Sequence, residues 1–205
     1  MNEIDLASIC YKVDGNATND ISWIPIGTST HQFKGTFDGK GNTIKKIYIN
    51  KANDNQALFA YNNGTIQNVN LGKETVIGGN CTAGLVSRNS GKVIRCTNLL
   101  TNVTANNAVI VGGLVAINNN LVNECCNKAY VTVNGASGEM QVGGIVGQNN
   151  KNVYSSYNIG EITATMTENN HINVGGVIGY DWNIAEGLYN RGKIAVKKTT
   201  DEYHF

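Results

Sequence analysis

Few side chains in this 205-residue sequence stand at spacings that could do covalent chemistry. The three histidines, His31, His171 and His204, fall at unrelated positions. No His-Glu-x-x-His run is present to hold zinc beside a general base. A nucleophile elbow, a phosphate loop and a dinucleotide fingerprint are equally absent. Asp181, Glu186 and Arg191 form one modest grouping of acids and base, and a solvent-exposed pair accounts for it. The five cysteines include no CxxC pair, so neither a zinc set nor any other cofactor is expected. An odd number leaves at least one thiol unpaired in a monomer, and a disulfide scaffold is not expected.

The aromatic residues point towards binding instead. Tyr157 and Tyr189 share one position of a repeat described below, while Tyr154, Tyr180 and Trp182 lie in the same C-terminal part of the chain. Tyrosine and tryptophan combine an apolar face with a polar tip, so an outward strip of them can stack on sugar rings. Pointing inward, the same strip would be core.

These residues are positioned by a short glycine-led apolar run that recurs along the chain. It reads Ala83-Gly84-Leu85-Val86, Gly112-Gly113-Leu114-Val115, Gly143-Gly144-Ile145-Val146 and Gly175-Gly176-Val177-Ile178. An earlier copy, Gln56-Ala57-Leu58-Phe59, keeps the apolar pair without the glycines. Successive copies are 27, 29, 31 and 32 residues apart. The frame continues through Asn62, Asn89, Asn118, Asn149 and Asp181, then through Val69, Cys96, Cys125, Ser156 and Leu188. It ends on Asn98, Asn127, Asn158 and Asn190. A period of this length marks a solenoid or array. The pieces are too short and too β-branched for helices, so each copy predicts one coil of a parallel β-helix with three short strands. Equivalent residues of adjacent coils then stack, which places Cys96 and Cys125 together as buried thiols and turns Cys126 the other way. The recurrent asparagines are expected to stack as a corner ladder, because the side chain can bond nearby backbone and tolerates left-handed geometry. Length differences collect in 75–82, 102–111, 131–142 and 162–174. The later two predict hairpin-like protrusions that would align as a ridge.

The runs Gly113-Leu114-Val115, Gly144-Ile145-Val146-Gly147 and Gly176-Val177-Ile178-Gly179 resemble the GLUG motif. Cys125-Cys126-Asn127 and Ser156-Tyr157-Asn158 are similar to the later step of those repeats, and Trp23-Ile24-Pro25-Ile26-Gly27 with 33–44 resembles their leading segment. The resemblance implies a right-handed parallel β-helix from a bacterial surface or secreted protein. Such modules occur in adhesin-like proteins and beside the catalytic domain of immunoglobulin A1 metallopeptidases.

Composition narrows the partners. A net charge of +1 does not favour a nucleic-acid surface driven by counterion release. No stretch reaches the length of a membrane span, so no membrane insertion is expected. The first residues lack the basic and apolar regions of a signal peptide, which leaves a cytoplasmic origin open beside a secreted or cell-surface one. Asp38, followed by glycine, is read as a turn residue.

The sequence therefore predicts an all-β chain, a right-handed parallel β-helix (solenoid) of about five coils. Residues 1–50 would be an N-terminal cap with a leading strand and 51–205 GLUG-like repeats, in one structural domain. The expected role is a non-catalytic surface module for adhesion, binding a surface glycan or a host or cell-surface protein, with further domains of a larger parent chain. A polysaccharide lyase or glycosidase on the same fold is the alternative, and a structural spacer the third reading.

Overall fold

In the computed structural model, residues 3–13, 19–73, 75–106, 109–134, 139–166 and 171–198 are described. They contain strands and turns without a helix and form a parallel β-solenoid of about five turns. Each full coil visits five faces rather than the three strands expected. Face 1 stacks Phe59–Asn62, Val86–Asn89, Val115–Asn118, Val146–Asn149 and Ile178–Asp181. Face 2 runs from Thr36–Asp38 through Thr65–Gln67, Lys92–Ile94, Leu121–Asn123 and Asn152–Tyr154 to Ala185–Glu186. Face 3 holds Glu3–Asp5, Thr43–Lys45, Asn70–Leu71, Thr97–Asn98, Cys126–Asn127, Tyr157–Asn158 and Tyr189–Asn190. Face 4 holds Tyr48–Asn50, Thr75–Gly78, Asn102–Asn106, Val131–Asn134, Ile162–Met166 and Ile194–Lys198. Face 5 comprises Thr82–Ala83, Ile110–Gly112, Met140–Gly143 and Ile172–Gly175.

The repeat frame read from the sequence is the stacking register. Ile66, Val93, Val122 and Val153 pair in sequence and are fully buried, as are Val86, Val115 and Val146. Cys96, Cys125 and Ser156 form the expected inner column, and all five cysteines are buried. The Ser156 hydroxyl accepts the Cys125 backbone N–H, and burial pushes the Cys125 thiol pKa well up.

The paired glycines sit at a corner rather than leading a strand. Face 5 ends on the first glycine and face 1 begins two residues after the second. A Cβ on Gly143 would lie 1.9 Å from the Val146 carbonyl oxygen, which makes the first position a close turn contact. A Cβ on Gly144 would meet the Gly176 carbonyl at 2.2 Å and Cγ of Asn158 at 2.4 Å. Gly113 faces Asn127, and Gly176 faces Asn190, in the same way. The second glycine thus leaves room for the asparagine of its own coil. The first copy explains itself on this basis: face 3 there carries Leu71 where the next coil has Asn98, and Ala57 replaces glycine.

The asparagine columns stack as the expected ladders, two internal ones whose amides also bond nearby backbone, but their own backbone is not left-handed. Nδ2 of Asn62, Asn89, Asn118 and Asn149 each donates to Oδ1 of the residue one coil on, at 2.8, 2.9, 2.8 and 2.8 Å, ending on Asp181. Asn127, Asn158 and Asn190 repeat the pattern at 2.8 Å per step. Left-handed backbone lies instead at the corner between faces 2 and 3, where Asn68, Arg95, Glu124, Ser155 and Gly187 have φ of 53, 51, 53, 46 and 67°.

The hairpin expectation is overturned. Val131–Asn134 pairs with faces of the coils before and after it, and Met140–Gly143 does the same on a different sheet, all in parallel. Val131, Val133, Met140 and Val142 are fully buried in a second apolar cluster between faces 4 and 5. The lengthening segments therefore widen the solenoid's cross-section and carry their own core. The turns expected at 135–138 and 167–170 lie outside the described residues.

Residues 36–50 already follow the coil path, and 23–33 run along the lower edge of face 1 through Ile26 and Phe33. Phe33 and Phe37 pack against Phe59 there. Asp38 closes its turn by accepting the Lys40 N–H and is also held by Asn68 and Gln67. At the other end the inner columns are open: Ile162 is fully buried, whereas its partner Ile194 is 41% exposed.

Candidate functional site

Parallel in-register pairing puts identical side chains face to face, and this decides what the aromatic residues can do. Tyr157 and Tyr189 are paired neighbours on the outer side of face 3, stacked with centroids 4.8 Å apart and planes 2° from parallel. Cys126 precedes Tyr157 in the same column, so it turns away from buried Cys125 as expected. Hydrogen bonding with the Cys126 sulfur, helped by partial burial, pushes the Tyr157 phenol up to about 12. One face of the Tyr157 ring is covered by Tyr189, and its neighbour on the other side is Cys126. Tyr189, 50% exposed, has no stacking partner beyond it among the described residues.

The other aromatic candidates do not join this stack. Tyr180 belongs to face 1, where it follows Gln148, and Trp182 comes just after that strand. The two form an edge-on pair with centroids 4.9 Å apart, and the indole of Trp182 is 65% exposed. Tyr154 lies on face 2, beside Asn123 and Glu186. The five aromatics thus occupy three successive faces instead of one strip, with Trp182 and Tyr189 the most open.

The acid–base grouping is likewise divided. Asp181 ends face 1, and its Oδ1 accepts from Asn149 and from the Asn183 N–H. Glu186 is an exposed residue of face 2, and Arg191 follows face 3. No grouping of three or more histidine, cysteine or acidic side chains suited to a metal occurs among the described residues.

A depression of about 620 Å³ lies at the opposite end, where residues 7–12 lie against the corner between faces 3 and 4. None of its exposed residues belongs to the glycine-led motif. Tyr11 and Lys12 lie outside the repeat, and Lys73, Leu100 and Tyr130 sit at corner positions where residue types vary. Only the stacking of corner positions across coils could have signalled them.

No family model matches the chain. An alignment of 121 positions, covering 54% of this chain and 1% of the other protein, shows 33% identity to halomucin of Haloquadratum walsbyi. The fold is similar to a crystal structure from Bacteroides ovatus, provisionally assigned as an immunoglobulin A1 protease, with a TM-score of 0.72 at 18% identity. That similarity covers 95% of this chain and 59% of the other. The parallel solenoid is thus shared with a known structure, at an identity that speaks for fold alone.

Proposed function

We propose that this chain is a non-catalytic β-helix module of an extracellular or cell-surface protein, and that it binds glycan without altering it. The observation that carries this reading is the pair of open aromatic rings, Trp182 and Tyr189, held on a stacked and internally hydrogen-bonded frame. Aromatic faces fixed by a rigid scaffold lose little entropy when a sugar ring stacks on them. The GLUG-like residues and the names of the two similar proteins, halomucin and a provisionally assigned immunoglobulin A1 protease, favour an extracellular setting.

Intrinsic fluorescence gives a direct test because the chain has two tryptophans. Trp23 is half-buried and donates its ring N–H to the Leu58 carbonyl, whereas Trp182 is open. Titration with a panel of neutral and acidic polysaccharides should shift the emission of Trp182. Trp182→Ala and Tyr189→Ala should each weaken binding about tenfold, the effect of roughly 1.4 kcal/mol. Tyr157→Ala should act less, because its ring is covered. A panel that leaves emission and mobility unchanged would favour the structural spacer.

A further inference from the structure

A cleft of about 620 Å³ opens where the N-terminal segment crosses the corner between faces 3 and 4. Its volume is in the range of sites that take small ligands. The floor is made of two stacked columns. Tyr48, Thr75, Asn102 and Tyr130 follow one another on successive coils, so the floor spans about 14 Å at the usual strand spacing. Lys46, Lys73 and Leu100 line the floor alongside, and Tyr11 and Lys12 form the opposite wall. Tyr130 is 57% exposed, and Leu100 and Tyr11 are also open.

Three ammonium groups therefore border a cleft with tyrosine walls and a hydroxyl and an amide on its floor. Lys46 is paired with Asp5 at 2.8 Å, while Lys12 and Lys73 have no ion-pair partner among the described residues. The nearby carboxylate of Asp20 accepts the Val13 N–H at 2.9 Å and the Tyr48 hydroxyl, and its charge also acts on Lys12. These bonds fix the wall that carries Tyr11 and Lys12. Lys12, Lys46 and Lys73 set against Asp5 and Asp20 leave one positive charge over among these groups.

We propose that this cleft binds a carboxylate-bearing saccharide, with the sugar ring between Tyr11 and Tyr130 and its carboxylate at Lys12 and Lys73. Charge selects an anion, and exposed tyrosine faces with Thr75 and Asn102 suit a ring that is both apolar and hydroxylated. An acidic peptide is the less suitable occupant. Peptides that add a strand need a sheet edge and acidic motifs are taken by arginine clusters, whereas this floor is the outer face of a sheet already paired between coils and its lining holds no arginine. The site is independent of Trp182 and Tyr189, which lie near the opposite end of the solenoid.

The full chain should be titrated by calorimetry with an oligogalacturonate, with the neutral oligogalactose of equal length, and with oligoglutamate. The acidic saccharide should bind at least about tenfold more tightly than the other two and weaken as salt is raised. Lys12→Gln, Lys73→Gln and Tyr130→Ala should each reduce affinity about fivefold while circular dichroism shows the fold retained. Lys193→Gln and Trp182→Ala should leave this binding unchanged. Equal affinity for the neutral oligomer, equal or tighter binding of oligoglutamate, indifference to the lysine substitutions, or no binding at about 1 mM ligand would each overturn the proposal. If binding persists but depends on Trp182 alone, the aromatic surface is the site and the cleft is not.

Discussion

At the scale of single residues, the fold depends on the fit between the second glycine of each coil and an asparagine amide. Gly144→Ala places a methyl 2.2 Å from a backbone oxygen that belongs to the next coil, so neither partner can move away. We expect a loss of about 3 kcal/mol or more in chemical unfolding, whereas Gly35→Ala, which meets only the Phe33 ring at 3.5 Å, should be close to neutral. Asn118→Ala cuts the longer ladder in its middle, leaving a donor on Asn89 and an acceptor on Asn149 without their partner. Each such orphan costs about 1–3 kcal/mol, so a loss of about 3 kcal/mol is expected. Asp181→Asn keeps the acceptor and should be mild. The buried thiols of Cys96 and Cys125 should react with a thiol reagent only after denaturant is added.

At the scale of elements, position along the solenoid sets the cost of a change. Ile162 and Ile194 are paired neighbours in one column, the first buried and the second open. Ile162→Ala should cost about 3 kcal/mol and Ile194→Ala clearly less, as read from unfolding midpoints. The repeat period and inner columns were legible in the sequence because stacking demands the same residue type at the same offset. The hairpins were misread for a physical reason: Val131-Thr132-Val133 and Met140-Gln141-Val142 alternate as any half-buried strand does. Alternation does not say whether a strand pairs with its chain neighbour or with the next coil. The left-handed corner escaped notice because Arg95, Glu124 and Ser155 are not residues that announce that geometry. Glu124 already bears the cost of about 1–2 kcal/mol of a side chain in this region, so Glu124→Gly should not destabilise the protein, whereas the β-branched Glu124→Ile should lower the unfolding midpoint.

At the scale of the whole molecule, the two ends differ in how they are held. The N-terminal end is fastened by carboxylates: Asp5 by the Lys46 ammonium and the Ala7 N–H, Asp20 by the Tyr48 hydroxyl and the Val13 N–H, and Asp38 by Asn68, Lys40 and Gln67. These contacts lower all three pKa values, so their contribution is complete above the ordinary carboxylate value of about 3.9 and is lost as pH falls through the lowered ones. Hydrogen exchange should show residues 3–50 losing protection below about pH 4 before the central coils do. The cleft walls were not legible in the sequence, since residues 7–12 meet the corner only after the coils have stacked.

The central functional claim is binding without turnover on an open aromatic surface. It is tested most directly by incubating the chain with a polysaccharide that shifts Trp182 emission, then measuring the polymer's molar mass and newly formed reducing or unsaturated ends. The account predicts a saturable complex, lost with Trp182→Ala, and a polymer of unchanged length. Shortened polymer whose formation stops with Asp181→Asn or Glu186→Gln would contradict it and make the chain an enzyme.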